Sequence, residues 1–362
     1  MSSLVTERST LLERAFPMPH FLILSDVALD LSDGVLRFFE LRRSRGRATV
    51  KRFGARPFPR VHIDAANEKS RAESAAALGA LSTEFGFRNV RVLVHEDEAY
   101  VFRLTVPSTD ESTFREAIES VLEENVPIPP AEAVFEYEVA RRDEEKGETV
   151  LGVSVLPESV LGLYAELVRS GGLFPVSFET ESRSLARSLI PHGDQRARAI
   201  LDIKADHSVM CVVEAGAVVF SSSIGVGTSD MVNAIAKSFG ISIDAAKKMR
   251  AEQGFSQNKE DTKMFDAMMP VLSTLHDEVG KMLVYWSTQA KKNHGTEAVE
   301  DIIISGESAA LAGVAKYISI TSRIPVRIAS VWDKVLDPRD SLPDLSRRES
   351  LDYAALIGIL LS

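Results

Sequence analysis

Ala28-Leu-Asp-Leu-Ser-Asp-Gly-Val-Leu-Arg37 and Leu201-Asp-Ile-Lys-Ala-Asp-His-Ser208 open the two halves of this sequence in the same way. Each is an apolar strand that carries an aspartate, then a polar turn, then the start of a second strand. Asp33-Gly34 is a hairpin signal. Working outward, Val27 to Leu31, Val35 to Leu41 and Ala48 to Phe53 read as an antiparallel meander, with Phe21 to Leu24 as a further strand ahead of it. Ala199 to Ile203, Val209 to Glu214 and Ala217 to Ser222 repeat the pattern, with Glu214-Ala-Gly216 as the turn. Duplicated hairpins of this kind suit phosphate binding, because each turn offers backbone N–H groups to an anion from one side of a cleft. The aspartates, Asp30 and Asp202, are then candidates for holding a hydrated magnesium ion. An aspartate before a tight turn is commonplace; its recurrence in both halves carries the reading.

A third element is Ile302-Ile-Ile-Ser-Gly-Glu-Ser-Ala-Ala-Leu-Ala-Gly313. An apolar strand runs into Ser305-Gly306 and then a helix expected over Ala309 to Thr321, a turn that brings backbone close to a flat ligand such as adenine. Alone it is an ordinary strand-to-helix turn.

Between these elements, Ser70 to Phe85 has helical periodicity, and Val90 to Val94 and Tyr100 to Val106 are strands around the acidic tip Glu96-Asp97-Glu98. Asp110 to Asn125 reads as one amphipathic helix with Phe114, Ile118, Val121 and Leu122 on one face, stopped by Val126-Pro-Ile-Pro-Pro130. Strands follow at Phe135 to Arg141 and Val150 to Leu156, then a helix at Glu158 to Ser170, a strand at Pro175 to Phe178 and a helix to Leu189. We expect residues 99–190 to be a small α+β unit inserted into a first domain, 20–98, that is completed by about 335–362. Residues 1–19 are a polar lead-in. The second domain, 196–334, has helices at Met231 to Gly240, Ile243 to Glu252 and Met268 to Lys291 (a helical subdomain at about 231–294), and a strand at Val326 to Ala329. A helix at Tyr353 to Leu361 closes the chain.

The 362 residues carry 42 Lys plus Arg against 52 Asp plus Glu, a formal net charge of -10. That balance argues against nucleic acid, which needs a basic face. The charge is uneven: Arg42, Arg43, Arg45, Arg47, Lys51, Arg52, Arg56 and Arg60 form a run without acids, and residues 110–145 are rich in glutamate. These are either solvated faces or, for residues 42–60, a patch for anionic lipid or an acidic partner. Cys211 is the single cysteine, set in an apolar run as a small core residue, so no intrachain disulfide forms. No signal pattern opens the sequence, and no apolar stretch reaches the ~18 residues of a membrane span; we expect a cytoplasmic protein. Walker-type loops, nucleophile elbows and zinc cysteine pairs are absent. Of the seven histidines only His207 lies near the suspected site, as a candidate ligand.

Together these residues resemble the actin-like ATPases, and within them the PilM family of type IV pilus assembly proteins more than the division protein FtsA. The resemblance runs from about Phe21 onward and implies an α/β, ribonuclease H-like two-domain fold. The family's G-I-D-I-G-S-S-S-V-K-A-V-E-L is matched by Ala28 to Leu41, its I-P-F-P and acidic strand by Val126 to Pro130 and Glu136-Tyr-Glu138, and its L-G-I-S-x-E-E-A by Lys237 to Ala246. By this resemblance the candidate nucleotide residues are Asp30, Ser32, Asp33, Gly34 and Arg37, then Asp202, Lys204, Asp206 and His207. Gly225, Gly227, Lys247, Arg250, Ser305, Gly306 and Glu307 complete them.

Departures fall on these same residues. Ser32 and Lys204 replace the glycines after the two aspartates, Glu307 replaces the second glycine of S-G-G, Arg37 stands for a lysine, and Lys247 for an acid. Wherever such a turn position has positive φ, a side chain costs about 1–2 kcal/mol. Glu307 adds repulsion toward phosphate that Lys204 and Lys247 offset in part. The expectation is weak or absent binding of ATP and magnesium; the alternative is an active ATPase or small-molecule kinase. The resemblance also implies a scaffold at the cytoplasmic face of the inner membrane that docks the N-terminal cytoplasmic peptide of a PilN-like protein. The implied groove is lined by Leu36, Phe38, Glu40, Tyr100, Phe102, Leu104, Ile118 and Pro127. The resemblance also allows self-association, as in actin relatives.

Overall fold

The computed structural model describes residues 26–32, 34–44, 47–59, 68–255, 262–292, 298–336 and 343–362. Its strands in chain order are β1 (Asp26–Asp30), β2 (Val35–Ser44), β3 (Arg47–Pro57), β4 (Asn89–Val94), β5 (Tyr100–Val106), β6 (Ala133–Asp143), β7 (Glu148–Pro157), β8 (Phe174–Thr180), β9 (Ala197–Ile203), β10 (Ser208–Glu214), β11 (Ala217–Ile224), β12 (Ile302–Ser305) and β13 (Val326–Ile328). The helices used below are α1 (Glu68–Phe85), α2 (Phe114–Glu119), α3 (Leu122–Asn125), α4 (Glu158–Ser170), α5 (Glu181–Leu189), α6 (Thr228–Phe239), α7 (Ile243–Gln253), α8 (Thr262–Lys292), α9 (Val314–Ser322), α10 (Arg347–Ser350) and α11 (Ala354–Leu360).

Two five-stranded sheets share one strand order, β3-β2-β1-β4-β8 and β11-β10-β9-β12-β13. In each, the first three strands form the antiparallel meander and the last two add in parallel. Asp30 lies opposite Arg37 and Asp202 opposite Val209, the same offset in both hairpins. The duplication seen in the sequence is therefore a duplication of topology. At Glu214-Ala-Gly216 both central residues have positive φ, 50° at Ala215 and 90° at Gly216, a primed turn whose twist matches its strands.

One apolar core runs through both halves. It joins Ala28, Phe39 and Leu93 of the first sheet to β9, β10 and β12 through α5 and α11. The other face of the first sheet is covered by α1 and α4, with Leu78, Leu81, Tyr164 and Val168 packed on Leu29, Phe38 and Val92.

Three expectations change. β5, β7 and β6 make a separate three-stranded sheet, but β8 pairs with β4 in the first sheet; the stretch expected as one inserted unit over 99–190 thus returns to the main sheet after Pro157. The helix expected over Asp110 to Asn125 is broken into a short turn, α2 and α3. At the break Ser120 Oγ bonds the Ala117 carbonyl and Asn125 bonds that of Val121, side chains competing with the helical ladder. The helix after β12 begins at Val314 rather than Ala309, because Gly313 has φ 90° and lies against the Phe255 carbonyl. Residues 1–19, Phe21 to Leu24, Asp33, Arg45 and Arg60 lie outside the described residues. Among the described residues no helix is long and apolar enough to cross a membrane.

α5 and α11 touch at Gly358, where a Cβ would stand 1.7 Å from the Ser184 carbonyl oxygen. Gly358→Ala should therefore lower stability by about 1–3 kcal/mol through overpacking, read as a drop in melting temperature, whereas Gly162→Ala on α4, whose Cβ meets nothing within 4 Å, should not.

Candidate functional site

Asp30 ends β1, and Lys204 directly follows β9. Ser32 and Lys204 do not have positive φ, so the backbone strain expected at these former glycine positions is absent. Instead the Lys204 ammonium crosses between the halves. Its Nζ donates to Asp30 Oδ2 at 3.0 Å and to Ser32 Oγ at 2.9 Å, and pairs with Glu181 at the start of α5. All three charged groups are buried, so their attraction is weakly screened and an unpaired member would be costly. Burial pushes the Glu181 carboxyl up, but Lys204 and His207 overcome this and hold it well below the usual range. Arg37 Nη1 lies 4.0 Å from the same oxygen, Asp30 Oδ2.

The backbone donors expected to cradle phosphate are largely engaged within the chain. Ser32 N–H bonds its neighbour Asp30 Oδ1 at 3.0 Å. At the N-terminus of α6, Thr228 N–H donates to the Lys204 carbonyl at 2.9 Å and Ser229 N–H to the Ala205 carbonyl at 2.7 Å. Gly227 N–H bonds Asp230, and Ser229 Oγ bonds Asp206. Gly227 is a glycine because its Cβ would lie 2.4 Å from the Ala205 oxygen. The second hairpin turn thus plugs the helix terminus; Gly225, beside it, is exposed.

The adenine-side turn is similarly self-contained. Gly306, at φ +85°, approaches the Ile203 carbonyl to a distance that leaves no room for a Cβ, so its close contact is with β9. Ser305 Oγ bonds the Leu351 carbonyl. Glu307 pairs with Arg250, and Arg250 Nη1 reaches Ser308 Oγ at 2.8 Å, which lies 2.7 Å from Thr228 Oγ1. Burial draws the Arg250 guanidinium down against the pull of Glu307. Glu307 is an internal counter-ion, and Lys247 is exposed on α7.

Beside Glu181 lie two histidines. His207 Nε2 is 3.4 Å from Glu181 Oε2, and the His95 and His207 rings have centroids 4.1 Å apart. Glu181 Oε2 also accepts Glu96 N–H at 3.0 Å. Burial raises the Glu96 carboxyl, the Asp202 carboxyl to about 6 and the Asp352 carboxyl to about 7. Asp202 Oδ1 is buried without a hydrogen-bond partner among the described residues. Sequence reading did not place His95, Glu96, Glu181, Thr228, Ser308 or Asp352 here. Only Thr180-Glu181 carried a local signal, a helix cap with an acid in the first turn.

Part of the expected partner groove is core. Leu36, Phe38, Glu40 and Ile118 are buried, because α1, β3 and the β5-β7-β6 sheet cover them. Tyr100, Phe102 and Leu104 are half-buried around Phe114 and Ile118, beside Phe135 and Tyr137, and Pro127 is exposed. In the basic run, Lys51 and Arg52 both pair with Glu40 at 2.7 Å and Arg56 with Glu84 at 3.0 Å, while Arg42 is exposed.

A family model described as type IV pilus assembly protein PilM matches residues 28–362. A search of curated proteins gives no match. Among solved structures, a PilM–PilN type IV pilus biogenesis complex aligns at TM-score 0.72 and 20% identity, over 93% of this chain and 97% of that one. The ethanolamine utilization protein EutJ from Carboxydothermus hydrogenoformans aligns at 0.52 and 13% identity, over 93% and 89%. MreB 5 of Spiroplasma citri bound to AMPPNP aligns at 0.52 and 13%, over 93% and 95%. The fold is the actin-like ATPase fold.

Lys204→Met should cost about 3–5 kcal/mol, since it leaves Asp30 and Glu181 buried without their cation; chemical denaturation measures it. The raised carboxyl of Asp202 gives a second test. A folded pKa above the unfolded one means the stabilisation is complete below about pH 4 and disappears as pH rises through about 6, with at most about 3 kcal/mol at stake. Asp202→Asn should therefore narrow the gap in melting temperature between about pH 5 and about pH 8.

Proposed function

The chain belongs to the PilM family of type IV pilus assembly proteins, and from that premise we propose that it is a scaffold whose cleft is held by its own ion pairs instead of by nucleotide. The observation that carries this reading is the Lys204 ammonium on Asp30, Ser32 and Glu181. Magnesium needs oxygen ligands free to meet it, and Asp30 is committed to Lys204. Phosphate needs free N–H donors, and those at the start of α6 are bonded to the second hairpin turn. Asp202 keeps an unpartnered Oδ1 among the described residues, but without Asp30 and without free donors at α6 the residues do not fit a magnesium nucleotide.

What remains is binding. The half-buried side chains of Tyr100, Phe102 and Leu104, with Phe135 and Tyr137 beside them and Pro127 exposed at the edge, offer apolar anchors to an extended segment. β5 is an outer strand of its sheet, and such a strand can add backbone hydrogen bonds. We assign this surface to the N-terminal cytoplasmic segment of a PilN-like inner-membrane protein, which would hold the scaffold at the cytoplasmic face of that membrane. The exposed Arg42 would then sit on the membrane side.

A labelled peptide of that PilN-like segment should bind saturably in fluorescence anisotropy. Phe102→Ala and Leu104→Asp should weaken it at least about tenfold, as expected for anchors at an interface centre, compared on protein shown to be folded by circular dichroism because both side chains also pack on Phe114 and Ile118. No binding by the folded protein would refute the docking assignment. Calorimetry with MgATP should give no heat at about 1 mM; affinity near about 1 μM would refute the self-held cleft.

A further inference from the structure

A cluster beside the Lys204 bridge shares Glu181 with it and brings two histidines that the bridge does not use. His95 follows β4, Glu181 opens α5 and His207 lies in the β9–β10 turn. Each offers a ligand atom, and the three atoms all lie within 4.8 Å of one another. We propose that His95, Glu181 and His207 form a site for a borderline divalent transition metal, zinc being the reference ion, that links the two halves of the chain. The inference does not rest on the docking assignment.

The chemistry of the donors selects the ion. Two imidazoles and one carboxylate suit zinc, cobalt or nickel, whereas magnesium and calcium prefer oxygen alone. Three protein ligands leave one position of a tetrahedral site open to water. The geometry is part-formed: zinc bonds of about 2.0–2.1 Å place neighbouring ligand atoms about 3.4 Å apart, and His207 Nε2 already stands 3.4 Å from Glu181 Oε2. His95, the least buried of the three, closes the remaining distance by side-chain rotation. His95 Nδ1 accepts the Asp97 N–H at 3.3 Å, which holds the ring in place. Glu96 N–H on Glu181 Oε2 orients the carboxylate in the same way.

Charge balance favours a further cation. Lys204 occupies the other oxygen, Oε1, of Glu181. Asp30, Asp202 and Glu96 add buried carboxyl groups around it, and Asp202 Oδ1 is a buried acceptor with no partner among the described residues. That orphan is a second, independent sign that positive charge is under-supplied here.

Zinc chloride titrated calorimetrically into metal-stripped full-length chain should bind at one site with a dissociation constant at or below about 10 μM. His95→Gln and His207→Gln should each weaken it at least tenfold, and excess magnesium should not displace zinc. Zinc should raise the melting temperature of the wild type and not of either variant, because only the folded chain brings the halves together. Cobalt(II) should give visible absorption of a tetrahedral site that is lost in both variants. His95 is partly exposed, so its variant folds even where His207→Gln fails to. No zinc uptake by folded wild type, or uptake unchanged in folded His95→Gln, would overturn the proposal.

Discussion

An ammonium group buried between two carboxylates is the constraint on which the rest of this molecule depends. Lys204 can stay charged in that place only while Asp30, Ser32 and Glu181 converge on it, and they come from the end of β1, the loop after it and the first turn of α5. The charge therefore fixes three elements of one half against the end of β9 in the other. Around that point the backbone closes at unusually short range, with Gly227 against Ala205 and Gly306 against Ile203. A side chain at either glycine would push the second hairpin away from its neighbours and pull Lys204 from its acids.

Much of the fold could be read from the chain because its signals are local and repeated. The alternation in both meanders, the aspartate before each turn and the Glu214-Ala-Gly216 hairpin all survive into the same strand order on both sides. Errors arose where local pattern met a long-range choice. β8 follows α4 as any small unit would, and only its pairing with β4 shows which sheet it serves. The amphipathic face of Asp110 to Asn125 is real, but Ser120 and Asn125 spend their hydrogen bonds on the backbone and break the helix.

The cleft was legible in outline and misjudged in mechanism. Loss of glycine at Ser32 and Lys204 suggested strain, yet neither backbone is left-handed; the change acts through the side chain that was gained. Glu307 looked like a free charge and is the partner of Arg250. His95 and Asp352 were invisible in the sequence because their neighbours lie far away along the chain, and the helix cap at Thr180-Glu181 named none of its partners. Leu36, Phe38 and Ile118 were apolar residues in the right stretch for a groove, but an apolar side chain names no particular neighbour, and here they lie in the interior.

The shared core limits how this protein can be divided. Ala28, Phe39 and Leu93 belong to the same apolar cluster as the β9, β10 and β12 side chains, with α5 and α11 filling the space between. Cutting the chain in the link between Leu189 and Ala197 would not release two proteins, since each piece would carry away half of a common interior and present it to water. For all the symmetry of its two sheets, the two halves close a common interior that neither could close alone.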